Sequence, residues 1–196
     1  MKIHLSKVLV KCKPTFAISI ITIFCASCGV ELQLYEWENM DLFLLNTDTR
    51  DTLEDATNID IDDFAILVSL NPENTITVRS SDWVNASDGF QANDEITSIE
   101  ITSNQDYNDE NASGELLNDV FRAAFINEPD IIFTLENFPD EFGKQSNVID
   151  EGFELIPFTS SEVPIIRDSL RTFTVRVALK NGGTFFQTTA PIRIQQ

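Results

Sequence analysis

The residues best suited to chemistry are few and lie at the start of the chain. The three cysteines are Cys12, Cys25 and Cys28, and the single histidine is His4. A cut before Cys28 leaves 169 residues with one thiol, at the new N-terminus, and no imidazole. Histidine-activated serine or cysteine nucleophiles are then excluded, as are His- and Cys-rich zinc sites and internal disulfides. Carboxylates remain. Glu136 with Glu141, or Glu151 with Glu154, has the residue types of a glycosidase acid pair, but 32 acidic residues generate such pairs by chance. The expectation is that the chain is not an enzyme. Asn104, Asp106, Asn108 and Glu115 stand at positions 1, 3, 5 and 12 of a calcium-loop spacing and offer the hard oxygens that calcium takes. Asp109 fills the sixth position, where glycine makes the turn, and Asn111 the eighth, where an apolar residue normally sits. These four are the candidate calcium ligands, and no other cofactor is expected.

The segment before Cys28 fixes its fate. Lys2, Lys7, Lys11 and Lys13 precede an apolar run, Ala17–Phe24, that ends in small residues, the layout of a secretory signal. The run is about half the roughly 20 apolar residues a membrane-spanning helix needs. Cys25, Ala26 and Ser27 before Cys28 resemble a bacterial lipobox, departing from it at Cys25, where an aliphatic residue is usual. The resemblance implies diacylation of Cys28. At about 0.8 kcal/mol per buried methylene, several acyl chains on one cysteine would hold the chain to a bilayer. Residues 1–27 are thus expected to be a lipoprotein signal peptide and residues 28–196 a single domain.

Lysine and arginine total 13 against 32 acidic residues, a formal charge of −19. Losing 1–27 removes four lysines and no acid, so nine bases face 32 acids, a charge of −23. Nucleic acid and anionic headgroups would be repelled, so no nucleic-acid partner is expected.

The elements that must position these residues read mostly as strands. Val30, Leu32 and Leu34 alternate with polar residues, and Met40–Leu45 reads as a buried strand. Asn46–Asp63 reads as a loop with seven carboxylates against Arg50. Phe64, Ile66, Val68 and Leu70 predict a strand turning through Asn71-Pro72-Glu73-Asn74 into Ile76 and Val78. Thr97–Ile101 alternates again. Ser113 is a suitable cap, and Leu117, Val120, Phe121, Ala124 and Phe125 share a face at 3.6-residue spacing, which predicts a helix stopped by Pro129. Ile131–Leu135 and Phe153–Leu155 read as strands. Phe173, Val175, Val177 and Leu179 alternate strictly, and Asn181-Gly182-Gly183 turns the chain into Thr184–Thr189. Pro191 places the closing segment, Ile192 to Ile194, on an edge. The sum is a mainly β chain: an antiparallel β-sandwich, immunoglobulin-like in architecture, with one short α-helix.

The run Thr97–Ser103, then Asp106-Tyr107-Asn108, Gly114 and Leu117–Phe121, together with the Phe173–Thr189 hairpin, resembles a family of secreted Bacteroidota lipoproteins of unknown function. That resemblance implies a lipid-anchored envelope domain and transfers no catalytic residue. Asp51-Thr52-Leu53 and Asp168-Ser169-Leu170 are similar to the acceptor tripeptide for protein O-glycosylation in Bacteroidota, which makes Thr52 and Ser169 candidate acceptors. Trp37, Trp83, Tyr35 and Tyr107 are candidates for a sugar-stacking platform. The expected function is an outer-membrane, cell-envelope lipoprotein tethered through Cys28, a binding or structural module with a protein or glycan partner. With Glu31 the one early acid after Cys28, the periplasmic and surface faces both stay open. The alternative is a fimbrial subunit, on the resemblance to lipoprotein pilins that are trimmed after an arginine and polymerise by strand exchange. Arg50 is the matching residue, although a cut there removes the strand candidates at Val30–Leu45.

Overall fold

The computed structural model describes residues 30–53, 58–80, 90–92, 94–144, 152–158 and 170–195. The signal segment, Cys28, Trp83, Glu151 and Ser169 lie outside them.

Two long strands dominate. β1 (Val30–Asn46) pairs antiparallel with β4 (Phe64–Ser80) from Val30 opposite Ser80 to Asn46 opposite Phe64. At about 3.3 Å per residue each is roughly 55 Å long. The predicted hairpin at Asn71–Asn74 is therefore corrected, because the chain runs straight through Pro72. Proline lacks the N–H that a ladder uses, and it lies opposite Trp37 beside the irregularity between Trp37 and Asn39, where the regular bonding is already broken. β2 (Thr52–Leu53) and β5 (Phe90–Ala92) line the outer side of β1, the latter in parallel. The sheet continues beyond β4 through β9 (Gly152–Pro157) and β7 (Phe121–Phe125) to β8 (Glu128–Thr134). Gly152 permits this packing, since a Cβ there would lie 2.0 Å from the Val68 carbonyl oxygen.

The second layer is built on the C-terminal hairpin. β11 (Phe173–Leu179) pairs with β12 (Thr184–Thr188) on one side and β6 (Ile96–Ser103) on the other. The turn is the predicted one, with Gly182 at φ +92° donating its N–H to the Leu179 carbonyl. β10 (Leu170–Arg171) and β13 (Ile192–Gln195) continue this hairpin after a slip in register, and β3 (Asn58–Asp60) pairs in parallel with β13. β13 is thus a central strand, not the predicted edge; Pro191 precedes the ladder and removes no bond from it.

Alternating residues of both layers meet in one core. The Phe173 ring lies 5.8 Å from that of Phe64 and 5.6 Å from that of Phe121. Burying each ring contributes about 1.5–3 kcal/mol. Over the described residues the chain is mainly β, with largely antiparallel sheets in a sandwich-like arrangement and one short α-helix. That helix is not where the spacing placed it. Leu117–Val120 forms a turn and Phe121–Phe125 is β7, where Phe121, Ala123 and Phe125 face the core at period two. Asn118 accepts from the Ile101 N–H at 3.1 Å and donates to the Ile99 carbonyl at 2.7 Å, so its amide replaces a neighbouring strand along the edge of β6. The observed helix, α1 (Phe138–Lys144), opens with Pro139, Asp140 and Glu141 in its first turn and buries Phe138 against Phe125 and Phe153.

Candidate functional site

The expected attachment point, Cys28, lies two residues before β1. Val30 is already in the ladder, at the end of the β1–β4 ribbon remote from β9, which pairs with β4 only over Ile66–Ser69. From Val30 to Asn39 the ribbon spans about 30 Å. Chain emerging at residue 30 is therefore held by main-chain bonds from its second residue after Cys28. Among the described residues no helix is long and apolar enough to cross a membrane.

At the other end of β1, Arg50 occupies the turn to β2 with φ +62°, a left-handed conformation rare for a residue with a side chain. The turn is closed by Asn46 and Asp51, and the Asn46 carboxamide accepts from the amides of Asp48 and Thr49. This geometry directs the guanidinium onto Glu154 of β9, which it grips with two hydrogen bonds, Nη1 to Oε2 at 3.0 Å and Nη2 to Oε1. Glu154 is fully buried, whereas the Arg50 side chain is 41% exposed. The paired residues 43, 67, 154, 124 and 132 form one row across the sheet's outer face, which places Glu154 between Leu67 and Ala124. Neither Glu154 nor Arg50 announced this pairing in sequence, being 104 positions apart. Glu154 is committed to an arginine, and Glu151 lies outside the described residues.

The candidate calcium ligands fall in one loop between β6 and the turn that precedes β7, and each spends an oxygen on a backbone amide. Asn104 Oδ1 accepts from Thr172 at 2.8 Å, Asp106 Oδ1 from Ser113 at 2.8 Å, and Glu115 Oε2 from Ala112 at 2.9 Å. Asn108 is buried and accepts from both Glu110 and Asn111. The spacing that resembles a metal loop is used to fold the loop upon itself. Among the described residues no group of three or more Asp, Glu, His or Cys is placed to hold a metal ion.

The proposed aromatic platform is corrected where it can be seen. Trp37 is 7% exposed and Tyr107 3%, both core residues, because they fall on inward-facing positions. Tyr107 lies instead under Arg171 of β10, whose guanidinium carbon is 5.6 Å from the ring centroid and whose Nη1 donates to the Tyr107 carbonyl at 3.4 Å. Burial pushes the Tyr107 phenol well above its usual range, partly offset by the positive charge of Arg171. Burial likewise lowers the pKa of Arg171. Three phenylalanines are exposed among the described residues, Phe43, Phe158 and, most of all, Phe186 on β12. Of the candidate glycosylation sites, Thr52 is exposed on β2. Near the β1–β2 turn, desolvation and then the charges of Asp48, Asp60 and Asp62 raise the pKa of Asp63.

Comparison with protein-family models, with curated proteins and with solved structures found no match.

Proposed function

We propose that the chain is a cell-envelope lipoprotein of the Bacteroidota type, tethered to the outer membrane through acylated Cys28 and serving as a binding or structural module for a protein or glycan. The observation that carries this reading is the start of β1. The strand begins two residues after Cys28 and runs along β4 in the larger sheet. A lipid on Cys28 would thus be coupled to the sandwich by a paired ribbon, with the packed core beginning at Trp37, about 20 Å along it from Val30. An immunoglobulin-like relationship for the sandwich, as one domain over 28–196, belongs to the same proposal and rests on its two packed layers. The reading is non-enzymatic and without a cofactor, and it has no nucleic-acid partner, a point the excess of acidic residues supports.

Incorporation of labelled palmitate tests the proposal. The parent chain takes up label and fractionates with membranes, and a Cys28→Ser variant does neither. Equal fractionation of the two, without label in the parent, overturns the reading.

The fimbrial alternative requires cleavage after Arg50. Two features weigh against it in the folded chain: the Arg50 side chain is held by Glu154, and the removed segment would be β1, which lies between β2 and β4.

A further inference from the structure

Among the described residues the free sheet edges are defended except at β12. β4 pairs with β9 only up to Ser69 and beyond it carries Pro72, Glu73 and Arg79. β8 carries Glu128, Pro129 and Asp130 and is broken by a register shift against β7. β6 is covered by Leu116 and by the Asn118 amide. β2, β3, β5 and β10 are two or three residues long. Charges, proline, bulges and short length are the ordinary means by which an edge avoids pairing with another chain. β12 has none of them. From Asn181 to Ile192 no residue is charged, in a chain of formal charge −19, and β12 reads Thr-Phe-Phe-Gln-Thr. Among the described residues β12 pairs only with β11, and although β1 runs close by, no ladder joins them.

The backbone hydrogen bonds of the hairpin also fix which groups of β12 point outward. The Thr189 N–H donates to the Phe173 carbonyl and the Leu179 N–H to the Gly183 carbonyl, so the pairs 173/189 and 179/183 are hydrogen-bonded ones. Pairs alternate along an antiparallel ladder. Val177/Phe185 and Val175/Gln187 are then bonded inward, while the N–H and C=O groups of Thr184, Phe186 and Thr188 face away from β11. Phe186 is 73% exposed.

We propose that β12 is the pairing edge of a two-fold homodimer, in which two copies of the strand align antiparallel about Phe186. The strand is complementary to itself in that register. Phe186 meets Phe186, Thr184 meets Thr188, and Phe185 meets Gln187, with no charge opposite a like charge. The outward groups of the two copies satisfy one another in about six main-chain bonds, and the three-stranded β6–β11–β12 ladder becomes a continuous six-stranded one across the axis. A second copy is favoured over an unrelated strand because the register requires nothing beyond this sequence.

A single strand pair is a small interface, so covalent trapping reads it best. In the full chain with Cys12, Cys25 and Cys28 changed to serine, purified in mild detergent, Phe186→Cys supplies the one thiol. Facing residues of a bonded pair have Cα atoms about 5.5 Å apart, within disulfide range. Mild oxidation is expected to give a reductant-sensitive species of about 44 kDa, twice the 22.1 kDa chain, well above that from Arg193→Cys on β13. Chains carrying Thr184→Cys and Thr188→Cys should crosslink strongly when mixed and poorly alone. Phe186→Asp, which sets two like charges together at the axis, should sediment as a monomer with an unchanged Tm. Crosslinking at 186 no greater than at 193, equal yields from the mixed and separate threonine variants, or a product of another mass when the Phe186→Cys chain is oxidised in envelope extract would each overturn the proposal.

Discussion

Replacing Arg50 with alanine strips a fully buried carboxylate, Glu154, of a partner that meets it with two hydrogen bonds. Breaking a fully buried pair from one side costs about 3–5 kcal/mol, and breaking an exposed one about 0–1 kcal/mol. Glu154 is buried but Arg50 is 41% exposed, so the expected loss lies between these limits, at about 2 kcal/mol. For a chain of this size that lowers Tm by about 4–8 °C. Alanine is preferred to glycine because glycine would relieve the left-handed φ of Arg50 and mask part of the loss. Glu154→Gln keeps the shape and leaves Arg50 able to reach water, so it costs less, about 1 kcal/mol. The double variant should be little worse than Glu154→Gln alone, a coupling of about 1 kcal/mol or more. Urea and thermal unfolding measure all three. A loss below about 0.5 kcal/mol for Arg50→Ala, or strict additivity in the double variant, would refute the assignment of the pair. Brief trypsin treatment gives an independent reading: Glu154→Gln frees the Arg50 side chain and should speed cleavage at the Arg50–Asp51 bond relative to the parent.

Other expectations follow from the same contacts. Asn118→Ala removes both groups that stand in for a strand beside β6 and should cost about 1–3 kcal/mol in urea unfolding, with the core intact. Asn108→Ala should cost a similar amount, about 1–3 kcal/mol, whereas millimolar calcium should leave the parent Tm unchanged because Asn104, Asp106, Asn108 and Glu115 each already spend an oxygen on a backbone amide. The Tyr107 phenol holds its proton more tightly folded than unfolded, so the unfolded chain releases it first as pH rises past about 10. Stability from this group is full below that pH and declines above it, by up to about 1.4 kcal/mol per unit, and Tm measured against pH should fall less steeply in Tyr107→Phe.

Local pattern made part of this fold readable in advance. The β11–β12 hairpin needs only strict alternation and an Asn-Gly turn, both present within 17 residues, and its Gly182 adopts the positive φ that such a turn takes. β7 was ambiguous because Leu117, Phe121 and Phe125 satisfy helical spacing while Phe121, Ala123 and Phe125 satisfy a strand's, and the deciding contact, Asn118 on β6, is 17 to 19 positions away. β4 looked interrupted at Pro72, and only the matching irregularity in β1 reveals why it continues. The calcium-like spacing was legible, but the amide bonds these side chains accept were not, because short polar side chains suit both uses. The Arg50–Glu154 and Tyr107–Arg171 contacts join distant segments and left no local signal.

Membrane tethering through Cys28 turns on the first residue of the mature chain. Intact-mass measurement of the protein purified from cell envelopes tests it most directly. The expected chain begins at Cys28 and carries the added mass of its acyl chains. A chain beginning at Asp51, or one beginning at Cys28 with an unmodified thiol, would contradict it.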